Sequence, residues 1–89
     1  MPIISTFFGI IIRMFYKDNY QHHLPHLHAD YQGNIAVFSI PDGELLAGSI
    51  PKSKQKLVEA WIEIHKEDLI ADWNLAVNGQ TAFTIKGLD

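Results

Sequence analysis

Turn signals cut the first half of this chain into β-length pieces, and that punctuation limits its architecture more than any other feature. Gly9, Asp18-Asn19, Gln32-Gly33-Asn34 and Pro41-Asp42-Gly43 are residue types that tolerate or preset turn geometry. Between them lie runs rich in β-branched and aromatic residues: Ile3 to Phe8, Ile10 to Tyr16, His26 to Tyr31, Asn34 to Ile40 and Glu44 to Ile50. Such runs read as strands. The first two form either a tight hairpin or one long strand bent at Gly9. Gly48 marks a bulge in the fifth.

Side chains alternate across a strand, so each run has two faces. Ile11, Arg13 and Phe15 share one, and Ile10, Ile12, Met14 and Tyr16 the other. His26, His28 and Asp30 share a face opposite Leu27, Ala29 and Tyr31, while Ile35 and Val37 oppose Ala36, Phe38 and Ile40. Arg13 on an apolar strand either sits at an edge in water or pairs with a carboxylate.

Past Ile50-Pro51 the period changes. A proline there is preorganised for a first helical turn, and Leu57, Val58, Trp61, Ile64 and His65 fall on one arc of a helical wheel. Lys56, Glu59, Glu63, Lys66 and Glu67 occupy the solvated arc. The next apolar set, Leu69, Trp73, Ala76 and Val77, is rotated about 100° from the first, as the helical period requires. One straight helix would not keep both arcs on one surface, so a break is expected near His65 to Asp68. Asn78-Gly79 ends the second helix, and Thr81 to Ile85 reads as a short last strand. The order predicts an α+β fold: an antiparallel β-sheet of about five strands covered on one face by two consecutive helices, with a short C-terminal strand, in a single domain over residues 1–89. Both Trp61 and Trp73 read as core.

Composition narrows the function classes. At 89 residues, 47% hydrophobic and 19% charged, the chain reads as globular and too short for a second core. Its net charge of −3 gives weak support to nucleic-acid binding, for which Lys52, Lys54 and Lys56 are the nearest thing to a phosphate patch. No apolar stretch approaches a membrane span, and Arg13 interrupts the N-terminal apolar run, so no membrane partner is expected and a cytoplasmic location is. The absence of cysteine excludes disulfides and thiolate ligands.

Chemistry concentrates in His22-His23-Leu24-Pro25-His26-Leu27-His28, which holds four of the five histidines. Imidazole donates protons, accepts them and ligates metals near neutral pH. His26 and His28 share a strand face, Asp30 extends the row, and the loop before Pro25 lets His22 or His23 fold back toward them. His65 could join from the helix if that helix packs on the histidine face. Imidazoles plus a carboxylate suit a divalent transition metal such as zinc, iron, nickel or manganese, with no organic cofactor expected. A second reading needs no metal: His26, His28 or His65 acts as general acid and base on an RNA phosphodiester, with Arg13 supporting the developing charge. A third is a non-enzymatic interaction or regulatory module, with Thr81 to Ile85 or the edge at Ile3 to Phe8 recruiting a partner by strand addition.

Several separated motifs occur together: Pro2-Ile3-Ile4-Ser5, Phe7-Phe8-Gly9-Ile10, Pro25-His26-Leu27-His28-Ala29, Asp42-Gly43-Glu44-Leu45-Leu46 and the Trp61 to His65 helix turn. In this order they resemble a small bacterial family known only as a domain of unknown function, number four-one-six-zero. The resemblance implies that His22, rather than His23, belongs with His26, His28 and His65. It also implies a toxin–antitoxin-like context with a small protein partner encoded nearby. Leu24-Pro25 departs from the family's usual pair of prolines. Homo-oligomers are a further expected form of association.

Overall fold

The computed structural model describes residues 3–15 and 24–89. Five strands come first, β1 (Ile3–Phe7), β2 (Ile10–Arg13), β3 (His26–Tyr31), β4 (Asn34–Ser39) and β5 (Leu45–Gly48), followed by helices α1 (Lys52–Ile64) and α2 (Lys66–Val77). The strands form one antiparallel sheet in the order β1-β2-β3-β4-β5, so each strand pairs with its neighbours in sequence. This is the expected α+β arrangement.

Local chemistry explains the turns. Phe8 and Gly9 take φ of 50° and 78°, and Gln32 and Gly33 take 52° and 86°. Two successive positive φ values make the turn whose twist matches a two-residue hairpin, so the first two runs are a hairpin and not a bent strand. Gly48 has φ of 71°, and a Cβ there would collide with the Ile35 carbonyl oxygen of β4. The β4–β5 register shifts between Val37 and Phe38, which is the irregularity expected around Gly48. Gly48→Ala combines a left-handed backbone penalty of about 1–2 kcal/mol with that collision. It is expected to cost at least about 2 kcal/mol in urea unfolding, with the β5 amides losing exchange protection first.

The core lies on one face of the sheet. Ile4, Phe7, Ile10, Ile12, Met14, Leu27, Ala29, Ala36, Phe38 and Ile40 from the strand side cluster with Val58, Trp61, Ile62 and Leu69 from the helices. Ile10, Ile12, Met14, Leu27 and Ala29, expected on the strand faces opposite Arg13 and His28, are all fully buried. The helix break falls at His65 (φ −111°, ψ 21°), which ends α1 and begins α2. Asn78 caps α2, and Gly79 follows with φ of 76°.

Three local expectations are corrected. Ile64 is 64% exposed and Val77 47% exposed, whereas Ile62 and Asp72 are buried. The inward stripe therefore runs Val58, Trp61, Ile62 on α1 and Leu69, Asp72, Ala76 on α2, one position round from the apolar arc read off the wheel. Arg13 lies on β2, an interior strand, and not at an edge. Finally, residues 80–89 form no strand. The Ile85 N–H donates to the Ile4 carbonyl at 2.7 Å, and the Phe8 N–H donates to Asp89 Oδ2 at 3.1 Å. Between them Gly87 sits so close to Thr6 that an added Cβ would lie 2.5 Å from its carbonyl oxygen. The partners advance together (4 with 85, 6 with 87, 8 with 89), so the tail follows β1 in the parallel sense without completing a ladder. Elsewhere two side chains capture it: Trp61 Nε1 donates to the Lys86 carbonyl at 2.9 Å, and Asp72 Oδ1 accepts from the Phe83 N–H at 2.9 Å.

Candidate functional site

The sheet face turned away from the core carries the polar residues that alternation places there. Across the strands, Ile3 pairs with Arg13 and Arg13 with His28; one row along, Asp30 pairs with Ile11 and Ile35. A cleft of about 430 Å³ on this face is walled by Ile3, Arg13, Phe15, His28, Asp30 and Ile35.

Arg13 and Asp30 meet inside it. Arg13 Nη1 lies 3.2 Å from Asp30 Oδ2, with the two side chains 27% and 24% exposed. Asp30 Oδ1 in turn accepts the Gly33 N–H at 3.1 Å. One carboxylate oxygen thus closes the β3–β4 turn while the other orients the guanidinium. With both oxygens engaged, Asp30 serves the site as a positioning group for Arg13. Of the two settings open to Arg13 from sequence, the carboxylate pairing is the one formed.

His28 lines the same cleft, its ring 4.9 Å from Phe15 between centroids and tilted 60°. His26 stands behind it, 5.7 Å away between centroids and fully buried. His26 Nδ1 is 2.7 Å from the Leu24 carbonyl oxygen, which can only accept, so the ring proton resides on Nδ1. Trp73 of α2 packs on the His26 ring at 5.2 Å. His22 and His23 lie outside the described residues.

His65 is elsewhere. Its ring contacts the buried Trp61 at 5.4 Å, its Nδ1 is 3.9 Å from Asp68 Oδ2, and it lines a separate cleft with Asp68, Asp72 and Phe83. The sheet therefore brings His26, His28, Arg13 and Asp30 together, and the helix break leaves His65 in a cleft of its own. Among the described residues no three His, Asp or Glu side chains converge to hold a metal ion. Lys54 is taken up by the Tyr31 ring at 5.2 Å, on the core-side face of β3, so the lysine trio does not extend the Arg13 cleft.

Asp72 is a residue that sequence reasoning misses. It is 2% exposed, and burial pushes its carboxyl above the usual range; the Phe83 N–H opposes that rise and the charge of Asp68 adds to it. The available signal is its spacing, three residues after Leu69 and four before Ala76, on the stripe both share. A folded-state value above the unfolded one means the native chain binds the proton more tightly, so protonation favours folding. Asp72 thus withdraws stability as pH rises above the ordinary Asp value of about 3.9. Asp72→Asn is expected to flatten that slope in urea midpoints measured from acid to neutral pH.

Fold and site define a small α+β protein with a helix-covered sheet face and an Arg–His–Asp cleft on the other. The chain belongs to the family described as Domain of unknown function (DUF4160), which matches residues 9–74. That span takes in β2 to β5, α1 and most of α2, hence Arg13, His26, His28, Asp30 and His65. No curated protein and no solved structure matches the chain. Among the described residues no helix is long and apolar enough to cross a membrane.

Proposed function

We propose that the chain binds a phosphate-bearing ligand in the Arg13–His28 cleft and cleaves RNA there by acid–base chemistry. The observation that carries this reading is the guanidinium held by Asp30 in the same cleft as an imidazole. Arg13 presents paired N–H donors suited to phosphate oxygens. His28 removes the proton from a ribose 2′-hydroxyl; that oxygen attacks the adjacent phosphorus; the bond to the 5′-oxygen breaks, and the leaving oxygen takes a proton from a second acid or from water. The products are a 2′,3′-cyclic phosphate and a 5′-hydroxyl. Phe15, beside His28, offers a face for an unstacked base. A chain of net charge −3 has little long-range pull on nucleic acid, so recognition falls to these few contacts. Such an activity needs restraint in its own cell, which is the part a nearby-encoded partner protein would play in a toxin–antitoxin-like pair.

The test is incubation of the full chain with a mixed-sequence RNA oligonucleotide in the presence of chelator, with products identified by mass spectrometry. Cyclic-phosphate ends are the expected result. Intact RNA overturns the reading.

One observation favours a second reading. His26 Nδ1 is anchored on the Leu24 carbonyl, the usual support of a metal-bound imidazole. Two imidazoles on one tetrahedral ion, with bonds of about 2.0 Å, place their centroids roughly 5 Å apart, near the 5.7 Å between His26 and His28. This reading draws its third ligand from His22. Elemental analysis of untagged protein decides it: about one equivalent of a divalent metal, lost in His26→Ala and His28→Ala, supports it, and none after incubation with zinc, iron(II), nickel and manganese removes it.

A further inference from the structure

The tail and α2 enclose a cleft of about 300 Å³ that the Arg13 site does not use, lined in part by His65, Asp68, Asp72, Phe83 and Lys86. Asp72 forms its floor. One carboxylate oxygen accepts the Phe83 N–H, and the other is buried with no hydrogen-bond partner. A buried carboxylate oxygen without a donor is expensive, and native structures rarely leave one so. Asp68, four residues earlier and on the same side of α2, adds a second negative charge at the rim, its side chain 73% exposed. Lys86 borders the cleft, but among the described residues it pairs with neither carboxylate.

The chemistry of the missing partner follows from these facts. It must bring N–H donors to Asp72 Oδ2 and positive charge to both carboxylates. A bare metal ion is a poor candidate, because His65, Asp68 and Asp72 do not come together as a metal-holding group. An ammonium or guanidinium on an alkyl stem brings its own reach and several donors. Phe83, 72% exposed at the mouth, supplies an aromatic face for the stem or the charge. We propose that this cleft binds an organic cation, an alkylammonium or guanidinium group, with Asp72 as the buried anchor and Asp68 as the rim charge.

Two sources share that chemistry: a free amine and a basic side chain of a partner protein. The full ¹⁵N-labelled chain should be titrated separately with putrescine and with N-acetyl-arginine methylamide, and followed by amide shifts. N-acetyl-citrulline methylamide and sodium chloride serve as uncharged and ionic controls. Saturable shifts centred on Phe83, Ala71 and Asp72 are expected, with neither control reproducing them. Putrescine alone points to a free amine, and the arginine derivative alone to a protein side chain. Asp68→Asn, a change at an exposed position, is expected to weaken binding roughly two- to fivefold, and Asp72→Asn to abolish it. The proposal is overturned by no shifts at millimolar ligand, by equal shifts with the citrulline derivative or salt, or by unchanged affinity in Asp68→Asn.

Discussion

His28→Ala is expected to lower RNA cleavage by about 10²- to 10⁴-fold, the usual contribution of one positioned acid–base group. Arg13→Ala is expected to cost about 10²-fold or more, because it removes the donors aimed at charge that builds on the phosphate. The two losses should differ in form. Losing the imidazole slows the chemical step while leaving product binding near native, whereas losing the guanidinium both slows the step and weakens product binding. Arg13→Lys restores the charge but not the fork that Asp30 holds at 3.2 Å, so it should recover only part of the rate. Asp30→Asn tests positioning: it keeps the acceptor for the Gly33 N–H but gives up the ion pair, and should move KM more than Gly33 exchange. His28 and Arg13 are half-buried, so these variants are expected to stay folded while losing about 0.5–3 kcal/mol, the usual range for single substitutions. A cleavage rate unchanged in His28→Ala would end the acid–base reading, whatever RNA the chain binds.

The strand half of the molecule is legible in the sequence because two independent signals agree there. Turn residues mark where strands end, and alternation assigns faces, so Arg13 falls on the polar face of β2, and His28 and Asp30 on that of β3. That Arg13 actually reaches Asp30 depends on the β2–β3 register, and alternation cannot fix it: a slip of two residues preserves every face and separates the pair. The long connection between Phe15 and Leu24 sets no register as a two-residue turn would. His65 fails for a different reason. The wheel correctly sets it beside Trp61, but its meeting with the other histidines required the helices to pack on the histidine face. Helices bury apolar surface, and the apolar face of β2 and β3 is the one holding Ile10, Ile12, Leu27 and Ala29. Helix α2 still reaches the start of β3, where Trp73 packs on His26, but His65 stays with Trp61 and Asp68 in its own cleft. The last strand fails because its residues answer to tertiary captures: Asp72 and Trp61 each bind a tail peptide group, and neither bond is written in the strand propensity of Thr81 to Ile85.

Trp61→Ala should be the most damaging single change to the fold. Trp61 is fully buried, packs against Phe7 at 5.3 Å between centroids and touches His65 at 5.4 Å. Truncating a buried aromatic costs about 3–5 kcal/mol. The substitution also strips the Lys86 carbonyl of its donor, adding up to about 1–3 kcal/mol where water cannot replace it. A small domain has only about 5–15 kcal/mol in all, so the variant should be largely unfolded at room temperature by circular dichroism. Trp61→Phe separates the two contributions. It keeps most of the ring volume against Phe7 and removes the N–H, and should cost about 1–3 kcal/mol. Its signature is local: amides from Phe83 to Asp89 should exchange faster than in the native chain while β2, β3 and β4 stay protected, because the indole is the link from the core to the middle of the tail. If Trp61→Phe matches the native protein in both stability and tail exchange, the indole bond to Lys86 contributes nothing. The tail would then be held by Asp72, the Ile4 carbonyl and the Phe8 N–H, and Asp72→Ala, which removes the acceptor for the Phe83 N–H, would become the variant that frees it.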